Sequence, residues 1–170
     1  MEQLKFEFLF SDVHYNVHPN LNSGQYLWIW KPNEIAPHVG ISISGSYFSL
    51  KVSGKELHGE APKLFQLAIK KSTPLVLVEL LFDCKLEEVT QIYESFDKSS
   101  NLKSSCLQPV AKLLNAPSRK LTELLIQLKK GKSLGKTFTF NLAETQAGII
   151  HYDLKDIEKK LTSLQHAKRK

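Results

Sequence analysis

The stretch APHVGISISGSYFSLKVSG, residues 36–54, alternates apolar with small or polar residues on both sides of a Ser44-Gly45 pair. That alternation predicts two strands joined by a two-residue turn. With Ser44 and Gly45 in the turn, Ile43 faces Ser46, Ile41 faces Phe48 and Val39 faces Leu50. Side chains alternate sides along a strand, so Val39, Ile41, Ile43, Phe48, Leu50 and Val52 share one face, which must be buried. His38, Gly40, Ser42, Tyr47, Ser49 and Lys51 share the other. His38 follows Pro37 directly and stands at the edge of a small-residue surface. Gly40 and Ser42 leave room there for something to pack or bind.

The rest of the chain supplies elements to cover such a hairpin. KFEFLF (5–10) and QYLWIW (25–30) read as strands, with the Asn-, Ser- and Pro-rich stretch between them as a loop. APKLFQLAIKKS (61–72) predicts a helix burying Leu64, Leu67 and Ala68. PLVLVELLF (74–82) is a nearly unbroken apolar run and predicts a buried strand. KLEEVTQIYESF (85–96) predicts a helix, with Leu86, Val89, Ile92, Tyr93 and Phe96 three and four apart. After the polar loop 97–105, SCLQPVAKLLN (105–115) predicts a short helix opened by a capping box of Ser105 and Gln108, or capped one residue later at Cys106. SRKLTELLIQLKKG (118–131) predicts a helix stopped by Gly131, KTFTFNL (136–142) a strand, and YDLKDIEKKLTSL (152–164) a closing helix. Strands first, then helices and strands mixed, indicate a single α+β domain over 1–170. An antiparallel sheet would carry helices packed on it. The core spans 25–115 and the C-terminal helices 118–165.

Composition bounds the function. Of 170 residues, 42% are hydrophobic and 24% charged, as in ordinary globular domains. No apolar run reaches the roughly 20 residues a membrane helix needs, so no transmembrane segment is predicted. MEQLKFEFLF has none of the marks of a signal peptide. Two cysteines make no disulfide framework and point to reduced thiols in a cytoplasmic setting. The formal charge of +6 lies partly in HAKRK (166–170). A solvated helix end, where positive charge suits the dipole, accounts for that segment. No specific nucleic-acid partner is predicted.

Cys106 and His38 are the residues with chemistry to offer. Cys106 falls at a predicted helix start, where free backbone N–H groups favour a thiolate and can stabilise an oxyanion. A histidine within about 3 Å would serve as general base and then general acid. His38 would do so if its strand packs beside that helix start. The residues alone also admit Cys106 as a small buried residue at a helix end.

HVGISISGSYFSLKVSG resembles the histidine hairpin of the NlpC-type papain-like hydrolases, whose pattern is His-apolar-Gly-apolar, a short turn and a second strand. In ordinary members the cysteine precedes this histidine. Here it follows, in SCLQPVAKLL, beyond an apolar strand, a helix and a polar loop. That order is similar to the circularly permuted branch, which includes lecithin:retinol acyltransferase-like enzymes. The resemblance covers roughly residues 25–115. It implies a permuted papain-like fold, with Cys106 as nucleophile and His38 as base. The substrate would be a peptide, amide or lipid attacked at an amide, thioester or ester carbonyl, by hydrolysis or acyl transfer. The family's third polar residue, which orients the histidine, has no acidic, amide or imidazole equivalent here. Lys51 lies opposite His38 and would lower its pKa. Ser49, diagonal on the same face, is the candidate orienter. That gap keeps open an inactive papain-like binding or interaction domain.

The remaining polar groups read as structural. His14, His18 and His58 are scattered without metal-ligand spacing, so neither metal nor other cofactor is predicted. Glu87 and Glu88 suit a helix start, and Cys84 sits just past a buried strand. Tyr26, Trp28 and Trp30 share a strand face and read as packing. GKSLGK (131–136) lacks P-loop spacing and reads as a turn.

Overall fold

The computed structural model describes residues 5–169. Residues 1–4, part of the stretch read as free of a signal peptide, and Lys170, at the end of the basic segment, lie outside the described residues. In chain order the strands are β1 (Phe6–Leu9), β2 (Val13–Tyr15), β3 (Gln25–Trp30), β4 (His38–Ile43), β5 (Ser46–Lys51), β6 (Gly54–Glu60), β7 (Leu75–Leu80), β8 (Leu134–Phe140) and β9 (Gly148–Ile150). The helices are α1 (Ala61–Lys70), α2 (Leu86–Glu94), α3 (Gln108–Leu113), α4 (Leu121–Lys130) and α5 (Leu154–Ala167).

The chain is an α+β protein. Seven strands form one sheet in the order β2-β8-β7-β3-β4-β5-β6, and β1 pairs with β9 beside it. Only the β2–β8 pairing is parallel in the large sheet. The central hairpin has the register its alternation predicts: Ile43 opposite Ser46, Ile41 opposite Phe48, Gly40 opposite Ser49. Ser44 and Gly45 both take positive φ, 47° and 85°, the backbone a tight two-residue hairpin turn needs.

Each sheet face has its own core. Val39, Ile41, Ile43, Phe48 and Leu50 join Leu27, Ile29, Val76 and Val78 against residues of α2, α3, α4 and α5. The opposite face packs Tyr26, Trp28, Tyr47, Leu75, Leu77 and Phe140 against Ala61, Phe65 and Ala68 of α1. Gly40 and Ser42 therefore do not line an open surface. Trp28 lies over them and donates its indole N–H to Ser42 Oγ at 2.8 Å. A Cβ on Gly40 would collide with the Tyr47 hydroxyl and come within 2.7 Å of the Phe48 carbonyl oxygen. The room that small residues leave in this strand is filled by the protein's own aromatics.

Other departures have local causes. β2 lies in the stretch read as a loop, β6 follows the hairpin unannounced, and β9 is only three residues long. β2 and β9 are too short to show alternation, and β6, seven residues rich in glycine and charge, carries no apolar period. Residues 134–136 of GKSLGK extend β8 rather than turn. In α1 the buried residues are Ala61, Phe65 and Ala68, while Leu67 is exposed. The predicted capping box before α3 is absent. Leu107 occupies the cap position, the Gln108 side chain donates instead to the Ser118 carbonyl, and Ser105 Oγ is buried without a partner. Pro109 then lies within the first turn of α3, where a missing N–H costs little. At α5 a reciprocal cap does form, Asp153 and Asp156 each accepting the other's backbone N–H, at 3.0 and 2.8 Å. Among the described residues no helix is long and apolar enough to cross a membrane.

Candidate functional site

A cavity of about 560 Å³ opens where β4 begins and β5 ends, and both His38 and Cys106 line it. Residues far apart in the chain meet there because the sheet, the turn before α3, and α5 converge on one spot. β4 presents His38 and Val39, and β5 presents Leu50 and Lys51. Ser105, Cys106 and Leu107 come from the turn leading into α3, and Ile157, Lys160, Leu161 and Leu164 from α5.

The cavity runs round the end of the sheet and draws on both of its faces. His38 pairs with Trp30, whose indole N–H donates to the Tyr47 hydroxyl at 2.9 Å. Residues paired directly across two strands put their side chains on the same side. His38 therefore belongs to the Trp30 and Tyr47 face. Cys106 packs against the opposite core, with Val39 and Ile41.

Cys106 does not begin a helix as its sequence neighbours suggest. It lies in the turn just before α3. Burial raises its thiol pKa, outweighing the backbone N–H groups of Val39, Cys106 and Leu107 and the Lys160 charge, all of which favour the thiolate. The expectation of a resting thiolate is corrected accordingly, because desolvation is the larger effect. Three phenols share this neighbourhood. Tyr47, Tyr93 and Tyr152 are each held neutral, chiefly by burial and further by any negative charge on Cys106. Tyr152 accepts the Leu121 N–H at 3.1 Å through its hydroxyl oxygen, which leaves its O–H proton free to donate.

His38 is neutral as well. Burial lowers its pKa to about 4, and the Lys51 and Lys160 charges push the same way. The effect of Lys51 follows from the hairpin register. Nε2 of His38 is buried and has no hydrogen-bond partner among the described residues. Ser49 Oγ is likewise buried and unpartnered. It favours the ionised form of the Tyr47 hydroxyl, as Trp30 does, without reaching full hydrogen-bond geometry. Cys84, by contrast, lies away from this cavity. Burial and Glu88 push its thiol up to about 11.

No family model, curated protein or solved structure matches this chain. The chemistry of the cavity therefore rests on its own residues.

Two of those residues were missed in the sequence. Lys160 reaches across from α5, and its ammonium donates to the Ala36 carbonyl at 2.7 Å and to the Ile35 carbonyl at 3.3 Å. This fixes the loop just before His38, where Ala36 sits at φ 51°, a conformation L residues seldom adopt. A signal for Lys160 does exist. It stands three residues after Ile157 and directly before Leu161, inside the apolar stripe of α5, and a lysine in that position has a reason to be there. Tyr152 gave no such signal, since its role depends on a contact with α4 made far along the chain.

Proposed function

We propose that the protein is a cysteine-dependent hydrolase or acyltransferase, acting on an amide, thioester or ester carbonyl through Cys106 and His38. One observation carries the reading: a thiol and an imidazole with an unpartnered Nε2 line the same cavity, although the sequence separates them widely. Both groups are neutral at pH 7, so the thiol is activated as it reacts. The imidazole takes the S–H proton while sulfur bonds to the carbonyl carbon and the carbonyl π pair moves to oxygen. The N–H groups of Val39, Cys106 and Leu107, which favour negative charge at the sulfur, stand ready to stabilise the anionic intermediate. As it collapses, the imidazolium returns the proton to the leaving group. Water or a second acceptor then releases the acyl group from sulfur.

A second reading is an inactive binding domain, on the papain-like fold that the sequence resemblance implies. It is favoured by the opposite sheet faces from which His38 and Cys106 approach, and by a histidine whose charged form two lysines oppose. Iodoacetamide labelling with peptide mapping at neutral pH tests the first reading. Activation by His38 predicts alkylation of Cys106 well ahead of Cys84, slowed by His38→Asn. Equal, slow labelling of both thiols indifferent to His38→Asn leaves the binding domain. Cys106→Ser should abolish ester or thioester hydrolysis and leave the thermal transition nearly unchanged.

A further inference from the structure

The cavity has two chemical halves. Leu50, Val52, Leu107, Ile157 and Leu161 give it apolar walls. Its charged lining residues are Lys31, Lys51, Arg119, Lys160 and Lys168 against a single acid, Glu34. Three of these cations already have carboxylates: Lys31 with Glu34 at 3.6 Å, Lys51 with Glu56 at 2.9 Å and Arg119 with Glu123 at 3.9 Å. Among the described residues, Lys160 and Lys168 have no carboxylate within ion-pair distance.

Lys160 is the more informative of the two. An ammonium has three donors, and the Ile35 and Ala36 carbonyls take two of them. The third donor and the full positive charge are left at the cavity wall. Half-buried among apolar residues, this ammonium is destabilised by lost hydration, and its pKa falls. The Cys106 thiol is protonated at rest and supplies no counter-charge. This cation is held partly out of water by carbonyl dipoles, and the one carboxylate whose charge favours it, Glu34, already pairs with Lys31 and stands beyond ion-pair distance; that leaves a place for an anion carried by something else. The volume lies within the roughly 300–1,000 Å³ of small-molecule pockets.

We propose that this cavity takes a single-chain anionic amphiphile, its carboxylate or phosphate paired with Lys160 and its apolar chain against Leu107 and the α5 wall. The proposal rests on the cavity being the substrate site and adds the substrate's chemical class. Lys160 becomes the residue that selects the head group.

Calorimetric titration of the full chain tests it with hexanoate, octanoate, decanoate, octyl phosphate and octyltrimethylammonium, all below their micellar concentrations. Octanoate or octyl phosphate should saturate one site, and whichever binds more tightly identifies the preferred anion. Octyltrimethylammonium should bind at least about tenfold more weakly. Each added methylene should tighten carboxylate binding about fourfold. Lys160→Met should erase the preference for the anion while the chain-length dependence stays. Equal binding of anionic and cationic heads, no gain with chain length, or an undiminished anion preference in Lys160→Met overturns the proposal. Should Lys160→Met not fold, the ligand series on the unaltered chain decides alone. Both readouts are taken on the unaltered chain: a Cys106 no more reactive than Cys84 with anion binding retained sinks the catalytic reading only, and no anion binding with a reactive Cys106 sinks this one only.

Discussion

Two stretches of one hairpin do opposite things. In its middle, Gly40 and Ser42 are closed over by Trp28 and Tyr47. At its end, two residues before Gly40, His38 lines the cavity with an unpartnered nitrogen. The backbone is the same and the side-chain alternation continues unbroken. What differs is what lies above: two aromatic rings of the protein's own in one place, and in the other a loop tied down by Lys160. A strand thus becomes a site where the neighbouring elements stop short of covering it. If that is right, substitutions in the middle are felt in stability and substitutions at the end in reactivity, binding and titration.

The largest effect is expected in the middle. Phe48 is fully buried between strands and α2, its ring 5.6 Å from that of Tyr93. Phe48→Ala should cost about 3–5 kcal/mol in urea unfolding, enough to unfold much of the chain given typical domain stabilities. A loss below about 1 kcal/mol would mean that this core is not packed as described.

Next comes pH. His38 has a pKa of about 4 in the folded protein, against about 6.5 in the unfolded chain. Between those values the unfolded chain holds the extra proton, so stability rises with pH across the window and falls as acid is added. The His38 contribution is fully present above about pH 6.5 and lost as pH drops through about 4. The full loss is on the order of 3 kcal/mol. His38→Gln should flatten the stability profile between pH 4 and 6.5, as read by unfolding midpoints. An unchanged profile would place His38 in water rather than at the cavity wall.

Gly40→Ala should follow, at about 1–3 kcal/mol. The new methyl meets the rigid Phe48 carbonyl as well as the Tyr47 hydroxyl, so no single side-chain rotation relieves it. Ser42→Ala should cost about 1–2 kcal/mol, because it strands the buried Trp28 N–H. Its near-ultraviolet circular dichroism should change with it, since the indole loses the bond that fixes it. Full stability in either variant would erase the difference between the two stretches.

Sequence legibility divides along the same line. Alternation alone gives the hairpin register and its buried face, since period-two burial is local and the turn residues set the count. The stripe of Leu121, Leu124, Leu125 and Leu128 is equally readable, and all four are buried. The meaning of Gly40 was not readable. Whether a small residue marks open space or close approach depends on Trp28 and Tyr47, placed by other strands. At the site, His38 and Cys106 could be named and the influence of Lys51 worked out from register. The protonation state of Cys106 could not, because it depends on how deeply α3, α4 and α5 together bury the sulfur. Lys160 lay in an apolar stripe where its oddity was visible, but its target, the loop before His38, was not.

The smallest stability effect is the one that probes the end of the hairpin most directly. Lys51 and Glu56 form an ion pair at 2.9 Å with the lysine half-exposed, and such pairs contribute about 1 kcal/mol or less. Lys51→Gln should therefore shift the unfolding midpoint hardly at all. Yet among the charges that lower the His38 pKa, that of Lys51 acts more strongly than that of Lys160. Its removal should raise that pKa, and histidine proton resonances followed by NMR against pH would register the change. An imidazole easier to protonate accepts the Cys106 proton more readily, so alkylation of Cys106 at neutral pH should quicken in the same variant. If His38 titrates as before in Lys51→Gln, the strand end is electrostatically isolated from its partner strand, and burial with the Lys160 charge keeps the imidazole neutral.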